Sequence, residues 1–89
     1  MKSRTTERFR KAFERLPPHV QEQARQAYQR FNEDPHYPSL RFRRVHPTRP
    51  IYSVRISRDY RALGVLEGDE IIWFWIGSHS EYEGLLSRR

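Results

Sequence analysis

Apolar residues recur at helical intervals along the first third of the chain. Phe9, Ala12, Phe13 and Leu16 fall on one side of a helix, with Arg8, Arg10, Lys11, Glu14 and Arg15 on the remaining surface. Thr5 or Thr6 stands where an N-cap belongs. Pro17-Pro18 stops this helix. Pro18 also suits the first position of a second helix, along which Val20, Ala24, Ala27, Tyr28 and Phe31 keep the same period until Asn32 to Pro35 ends it. So short a connection predicts an antiparallel hairpin of helices, each with an apolar stripe that another layer must cover.

From His36 the period changes to two. Leu40–His46, Ile51–Ser57, Tyr60–Leu66 and Glu70–Ile76 read as four strands, with Gly68-Asp69 at a tight turn between the last two. Short connections pair neighbours antiparallel, so the expected class is α+β, an N-terminal helical hairpin packed on a four-stranded antiparallel sheet. Met1 to Thr6 is short and polar and is not expected to form a strand. Gly77 ends the last strand, and Ser78 to Leu86 is expected to form a loop and a short helix returning Leu85 and Leu86 to the body. With a two-residue turn at Gly68-Asp69, Leu63, Val65, Ile72, Phe74 and Ile76 share one sheet face, opposite Ile71, Trp73 and Trp75. Both faces then carry more apolar area than two short helices cover, which points to a partner chain.

Eighty-nine residues predict a single domain spanning 1–89. Hydrophobic side chains at 36% and charged ones at 31% fit neither a membrane span nor a disordered chain. The longest apolar run, Ile71 to Ile76, is far short of the roughly 20 residues a membrane helix needs. The basic start Met1-Lys2-Ser3-Arg4 runs into a charged amphipathic segment rather than an apolar one, so a cytoplasmic location is expected. Absence of cysteine removes disulfides, thiolate metal sites and cysteine nucleophiles. His19, His36, His46 and His79 form no HxxxH or HxH pair, and Gly64, Gly68, Gly77 and Gly84 match no nucleotide-binding glycine motif. Neither a metal nor a nucleotide cofactor is expected.

Net charge is +6, and every cation except Lys2 and Lys11 is arginine. Arginine's planar fork binds phosphates bidentately and stacks on bases, which suits a nucleic acid or an acidic protein partner. Arg41, Arg43, Arg44, Arg49, Arg55, Arg58 and Arg61 crowd the strand region, interleaved with Phe42, Tyr52 and Tyr60. That is the composition of a polynucleotide track, although a charged edge strand that resists aggregation has the same look. Arg41 and Arg43 alternate with Leu40 and Phe42, so one side of that strand is cationic.

Arg55 and Arg61 depend on the turn between them. A two-residue turn at Arg58-Asp59 pairs Ile56 with Arg61 and sends the arginines to opposite faces; a three-residue turn, Arg58 to Tyr60, gathers them on one face. Shared chemistry requires a common face. Downstream, Gly77-Ser78-His79-Ser80-Glu81-Tyr82 places an imidazole three residues before a phenol. Histidine exchanges protons near neutral pH, and tyrosine can stack on a base or assist as an acid.

The element order, with the segments YSVRISRDYRALGV and EIIWFWIGSHSEY, resembles the RelE/ParE superfamily of toxins, in particular its ribosome-dependent endoribonuclease branch. The likeness runs from Phe9 to Tyr82 and rests chiefly on the Arg55 and Arg61 hairpin followed by the IGSH and Tyr82 segment. The resemblance implies a RelE-like fold and a metal-independent endoribonuclease that cleaves mRNA on the ribosome and has a cognate antitoxin. It implies that Arg55 and Arg61 hold the scissile phosphate and that His79 or Tyr82 moves protons. Arg41, Arg43, Arg44, Arg49 and Arg58 would hold RNA, with His46 a secondary candidate. Two features depart from the pattern: the expected leading strand has only Met1 to Thr6 to form it, and no lysine follows Lys11. The superfamily also contains gyrase-directed toxins that cut nothing, so a non-catalytic gyrase inhibitor or a regulatory interaction module stays open.

Overall fold

The computed structural model describes residues 1–87. In chain order they form β1 (Lys2–Thr5), α1 (Glu7–Glu14), α2 (Pro18–Glu33), β2 (Arg43–Arg44), β3 (Ile51–Ser57), β4 (Tyr60–Glu67), β5 (Glu70–Ser78) and α3 (His79–Ser87). The sheet order is β1-β5-β4-β3-β2, with β1 parallel to β5 and every other pair antiparallel. Among the described residues no helix is long and apolar enough to cross a membrane.

The helical hairpin forms as its periodicity predicts. Thr6 caps α1, its Oγ1 accepting from the Phe9 N–H at 3.1 Å. Gln21 on α2 donates its side-chain N–H groups to the carbonyls of Phe13, Glu14 and Leu16, satisfying the free end of α1 and tying the two helices together. Val20, Ala24, Ala27 and Phe31 of α2 are buried, whereas α1 has no fully buried residue. The core joins α2 to Leu40, Val54, Ala62, Ile71, Trp73 and Ile76, with the Phe31 ring edge-on to Phe42 at 5.0 Å and to Trp73 at 5.2 Å. Gly64 makes room for that packing, since a Cβ there would lie 2.7 Å from the Trp73 ring.

The sheet has five strands, not four, because Met1 to Thr6 contributes one. Ladder bonds come from the backbone, so a polar segment completes the β5 edge as well as an apolar one, with Lys2 opposite Glu70 and Thr5 opposite Trp73. The Tyr28 hydroxyl also donates to the Ser3 carbonyl, and Arg4 pairs with Glu70 at 3.2 Å. The strand expected over Leu40–His46 shrinks to Arg43–Arg44. Leu40 closes a 3₁₀ turn begun at Pro38, and Arg41 adopts a left-handed conformation (φ 47°) that no strand accommodates.

A β-bulge in β5 revises the expected faces. Leu63 is opposite Trp75 and Gly64 opposite Trp73, so Phe74 is extra and the alternation shifts after it. Ile76 therefore joins Ile71 and Trp73 in the core instead of facing away from them. The Gly68-Asp69 turn is as expected, with Glu67 opposite Glu70 and Gly68 at φ 61°. At the carboxyl end Leu86 is half-buried, but Leu85 stays 39% exposed rather than returning to the body.

Candidate functional site

The β3–β4 hairpin resolves the question of Arg55 and Arg61 in a third way. The turn has two residues, Arg58 and Asp59, with Ser57 opposite Tyr60, yet Arg55 lies directly opposite Arg61. Ile56 is bulged out of the ladder and supplies the odd residue that a longer turn would have supplied. Both arginines thus share a face, and Arg43 joins them one row away because it pairs with Ser53, two residues before Arg55.

Arg61 is the fixed member of this group. Its Nη1 donates to the Ser57 carbonyl at 2.8 Å and the Tyr60 carbonyl at 3.1 Å, anchoring the guanidinium to the turn and leaving its other N–H groups uncommitted. Burial, then the cations Arg55, Arg41 and Arg43, hold its pKa below the usual arginine range, and the nearby Tyr82 phenol pushes it back up. Among the described residues no carboxylate pairs with Arg41, Arg43, Arg55 or Arg61. Four cations that repel one another without a resident counter-ion form a focus for an anion.

β5 brings the second half of the site. Gly77 is opposite Arg61 and Ser78 opposite Tyr60, so α3 starts beside the hairpin turn. The His79 N–H donates to the Asp59 carbonyl at 2.6 Å, fastening the two together. Ser78 and Glu81 form a capping box. Ser78 Oγ accepts from the Glu81 N–H at 3.1 Å, and Glu81 Oε1 accepts from the Ser78 N–H at 3.0 Å. Its S-x-x-E spacing, Ser78 to Glu81, is the sequence signal that starts the helix directly after Ser78, in place of the expected loop.

His79 and Tyr82 lie one turn apart, their rings stacked with centroids 5.8 Å apart. Tyr82 is buried, packing α3 onto the sheet. His79 Nε2 sits 3.0 Å from Glu83 Oε1, and Nδ1 is shielded from solvent with no partner. When Nε2 donates to Glu83, Nδ1 is the remaining lone pair of the ring.

The other candidates lie elsewhere. Arg44 pairs with Tyr52, on the face away from Arg55 and Arg61, and its Nε donates to the carbonyls of His46 and Arg49. His46 Nδ1 accepts from the N–H groups of Thr48 and Arg49, so these residues brace their own loop. Arg58 lines a cleft of about 460 Å³ with Arg55, Arg30 and Ser39, between the hairpin tip and α2. Sequence reasoning did not single out Arg30, which lines the same cleft as Arg55 from α2.

A family profile for the ParE-like toxin domain matches residues 18–84. Solved structures share the fold at low identity. The RelB-RelE antitoxin-toxin complex from Methanococcus jannaschii has a TM-score of 0.74 at 16% identity, over 91% of this chain and 95% of that one. A YoeB/ParE toxin from Agrobacterium tumefaciens has a TM-score of 0.70 at 15% identity, over 89% and 99%. The isolated E. coli RelE toxin has a TM-score of 0.65 at 17% identity, over 98% and 96%. A search of curated proteins finds no match to the sequence.

Proposed function

This chain belongs to the ParE-like toxin domain family, and from that premise we propose that it is the toxin of a toxin-antitoxin system, a metal-independent endoribonuclease that cuts mRNA on the ribosome. The observation that carries the reading is the group of Arg43, Arg55 and Arg61 on one face of the sheet, with Arg41 near enough to add to the repulsion on Arg61 and, among the described residues, no carboxylate paired with any of the four; Asp59 fastens this group to the helix that bears His79 and Tyr82. In the reaction a ribose 2′-oxygen bonds to the adjacent phosphorus as the bond to the 5′-oxygen breaks, leaving a 2′,3′-cyclic phosphate and a 5′-hydroxyl. Arg55 and Arg61 stabilise the extra negative charge of the pentacoordinate phosphorane. His79 Nδ1 takes the 2′-hydroxyl proton while Glu83 holds Nε2, and Tyr82 assists proton return to the leaving oxygen or orients the base; both roles require substrate binding to shift α3 and uncover the shielded Nδ1 and the buried phenol. The Methanococcus jannaschii neighbour is a toxin in complex with its antitoxin, which supports an antitoxin as partner here; an acidic segment of that partner would neutralise the arginines.

One observation favours a second reading, a non-catalytic gyrase inhibitor of the same fold. Tyr82 is buried and both His79 ring nitrogens are occupied or shielded, so the resting site presents cations while neither of these two proton-transfer groups is free. Primer extension on translating ribosomes with EDTA present separates the two. Cleavage by wild-type protein that survives chelation and disappears in Arg61→Ala and His79→Ala supports the nuclease. Intact transcripts at saturating wild-type dose rule it out.

A further inference from the structure

A second cationic and aromatic surface adjoins this site and takes no part in it. A cleft of about 700 Å³ opens between α1 and the far end of β5, with Arg8, Lys11 and Arg15 on one wall and Tyr60 and Trp75 on the other. The three cations recur at intervals of three and four residues and so share one side of α1. Lys11 pairs with Glu7 at 3.4 Å, but among the described residues Arg8 and Arg15 have no ion pair. Glu81, the acid on the far wall, is committed to capping α3.

Trp75 is held at the wall of the cleft. Its neighbour Trp73 is sealed in the core at 2% exposure, whereas Trp75 stays half-exposed. The bulge at Phe74 separates their roles by breaking the alternation between them. The Trp75 ring rests against the bare Cα of Gly77, where a Cβ would lie 2.6 Å from its Cζ2 atom. Glycine at 77 therefore leaves the indole the space it occupies, which any other residue would take from it.

We propose that this cleft binds single-stranded RNA, one base stacking on Trp75 beside Tyr60 and the flanking phosphates meeting Arg8 and Arg15. Stacked bases and phosphates satisfy an indole and guanidinium groups together. An acidic peptide satisfies the cations alone and leaves the indole against water. The cleft borders the candidate site, since two of its lining residues touch site residues: the Tyr60 carbonyl accepts from Arg61, and Ser78 caps the helix of His79. A strand with its phosphate on Arg61 thus has this cleft as the next place to seat a base. That placement rests on the RNA-cleaving reading, but binding is measured apart from it.

The probe is a short fluorescein-labelled 2′-O-methyl oligoadenylate, which cannot be cut because its 2′-oxygen is blocked. Wild-type protein should raise its anisotropy, with quenching of tryptophan emission. Trp75→Leu should abolish the quenching and weaken binding roughly 10-fold or more, as loss of one base-aromatic stack does. The double variant Arg8→Ala/Arg15→Ala, altered only at exposed positions, should lower the slope of log affinity against log salt by about 1.4, or 0.7 per phosphate contact. Gly77→Ala, checked for folding by circular dichroism, should reproduce Trp75→Leu. Unchanged affinity and salt slope in both Trp75→Leu and the arginine variant overturn the inference even if transcripts are still cut. Trp75-dependent binding by a protein that cuts nothing upholds it and rejects the nuclease reading instead.

Discussion

Replacing Arg61 by methionine separates what this side chain would do for the proposed reaction from what it does for the fold. In the fold, its Nη1 donates to two turn carbonyls at 2.8 and 3.1 Å, each bond contributing about 0.5–1.5 kcal/mol. Against this stands the charge. Burial and the cations Arg55, Arg41 and Arg43 lower its pKa, so the charged form is less favourable in the folded chain than in the unfolded one. Arginine stays protonated at every working pH, and the penalty is therefore constant there and would be relieved only above the folded pKa. The direct opposition to Arg55 accounts for about 0.2–1 kcal/mol of it. Methionine keeps the apolar stem, so the terms offset to a net loss of no more than about 3 kcal/mol. At 4–8 °C per kcal/mol for a domain this small, Tm falls by less than roughly 24 °C. Cleavage, by contrast, should fall about 10²–10³-fold, the usual cost of removing one preorganised transition-state donor. Salt adds a second signature. Screening shortens the Debye length from about 30 Å at 0.01 M to about 3 Å at 1 M, so wild-type stability should rise over that range and the variant's should rise less. Urea unfolding at both salt concentrations, run beside primer extension on ribosomes, reads all of this. A variant that loses more than about 3 kcal/mol of stability, or cuts at the wild-type rate, refutes the reasoning.

Three further outcomes test the frame that holds the site. Phe31→Ala removes a ring that is 1% exposed and edge-on to both Phe42 and Trp73; it should cost about 3–5 kcal/mol in urea unfolding. Gly64→Ala puts a Cβ 2.7 Å from Trp73 and 2.9 Å from Ile71, and the overpacking should lower stability by about 1–3 kcal/mol with the fold retained by circular dichroism. Ser78→Ala removes the hydroxyl that accepts from the Glu81 N–H; α3 amides should exchange faster with solvent by an amount equal to about 0.5–2 kcal/mol, while the β4 amides are unaffected.

Periodicity alone determined the two helices, the three long strands and the Gly68-Asp69 turn, because helix stripes, strand alternation and turn residues are local signals written in side-chain type. The α+β class followed from their order. Three features lay beyond it. β1 forms from Lys2–Thr5 because β5 offers an unpaired edge of backbone groups, and backbone hydrogen bonding leaves no trace in side-chain pattern. The strand over Leu40–His46 was lost because Leu40 is drawn into the core and Arg41 turns left-handed behind it, a tertiary demand that overrides alternation. The third feature is the pair of bulges, Ile56 and Phe74, each an extra residue whose position only strand pairing decides. The first brought Arg55 across from Arg61 through a two-residue turn, and the second put Ile76 in the core with Trp73. Arg55, Arg61, His79 and Tyr82 could be picked out from the chain as candidates. That the arginines share a face, that Arg44 and His46 turn away to brace a loop, and that Glu83 takes His79 were decided by register and helix placement. A one-residue slip exchanges the two faces of a strand, and no one-dimensional pattern records it.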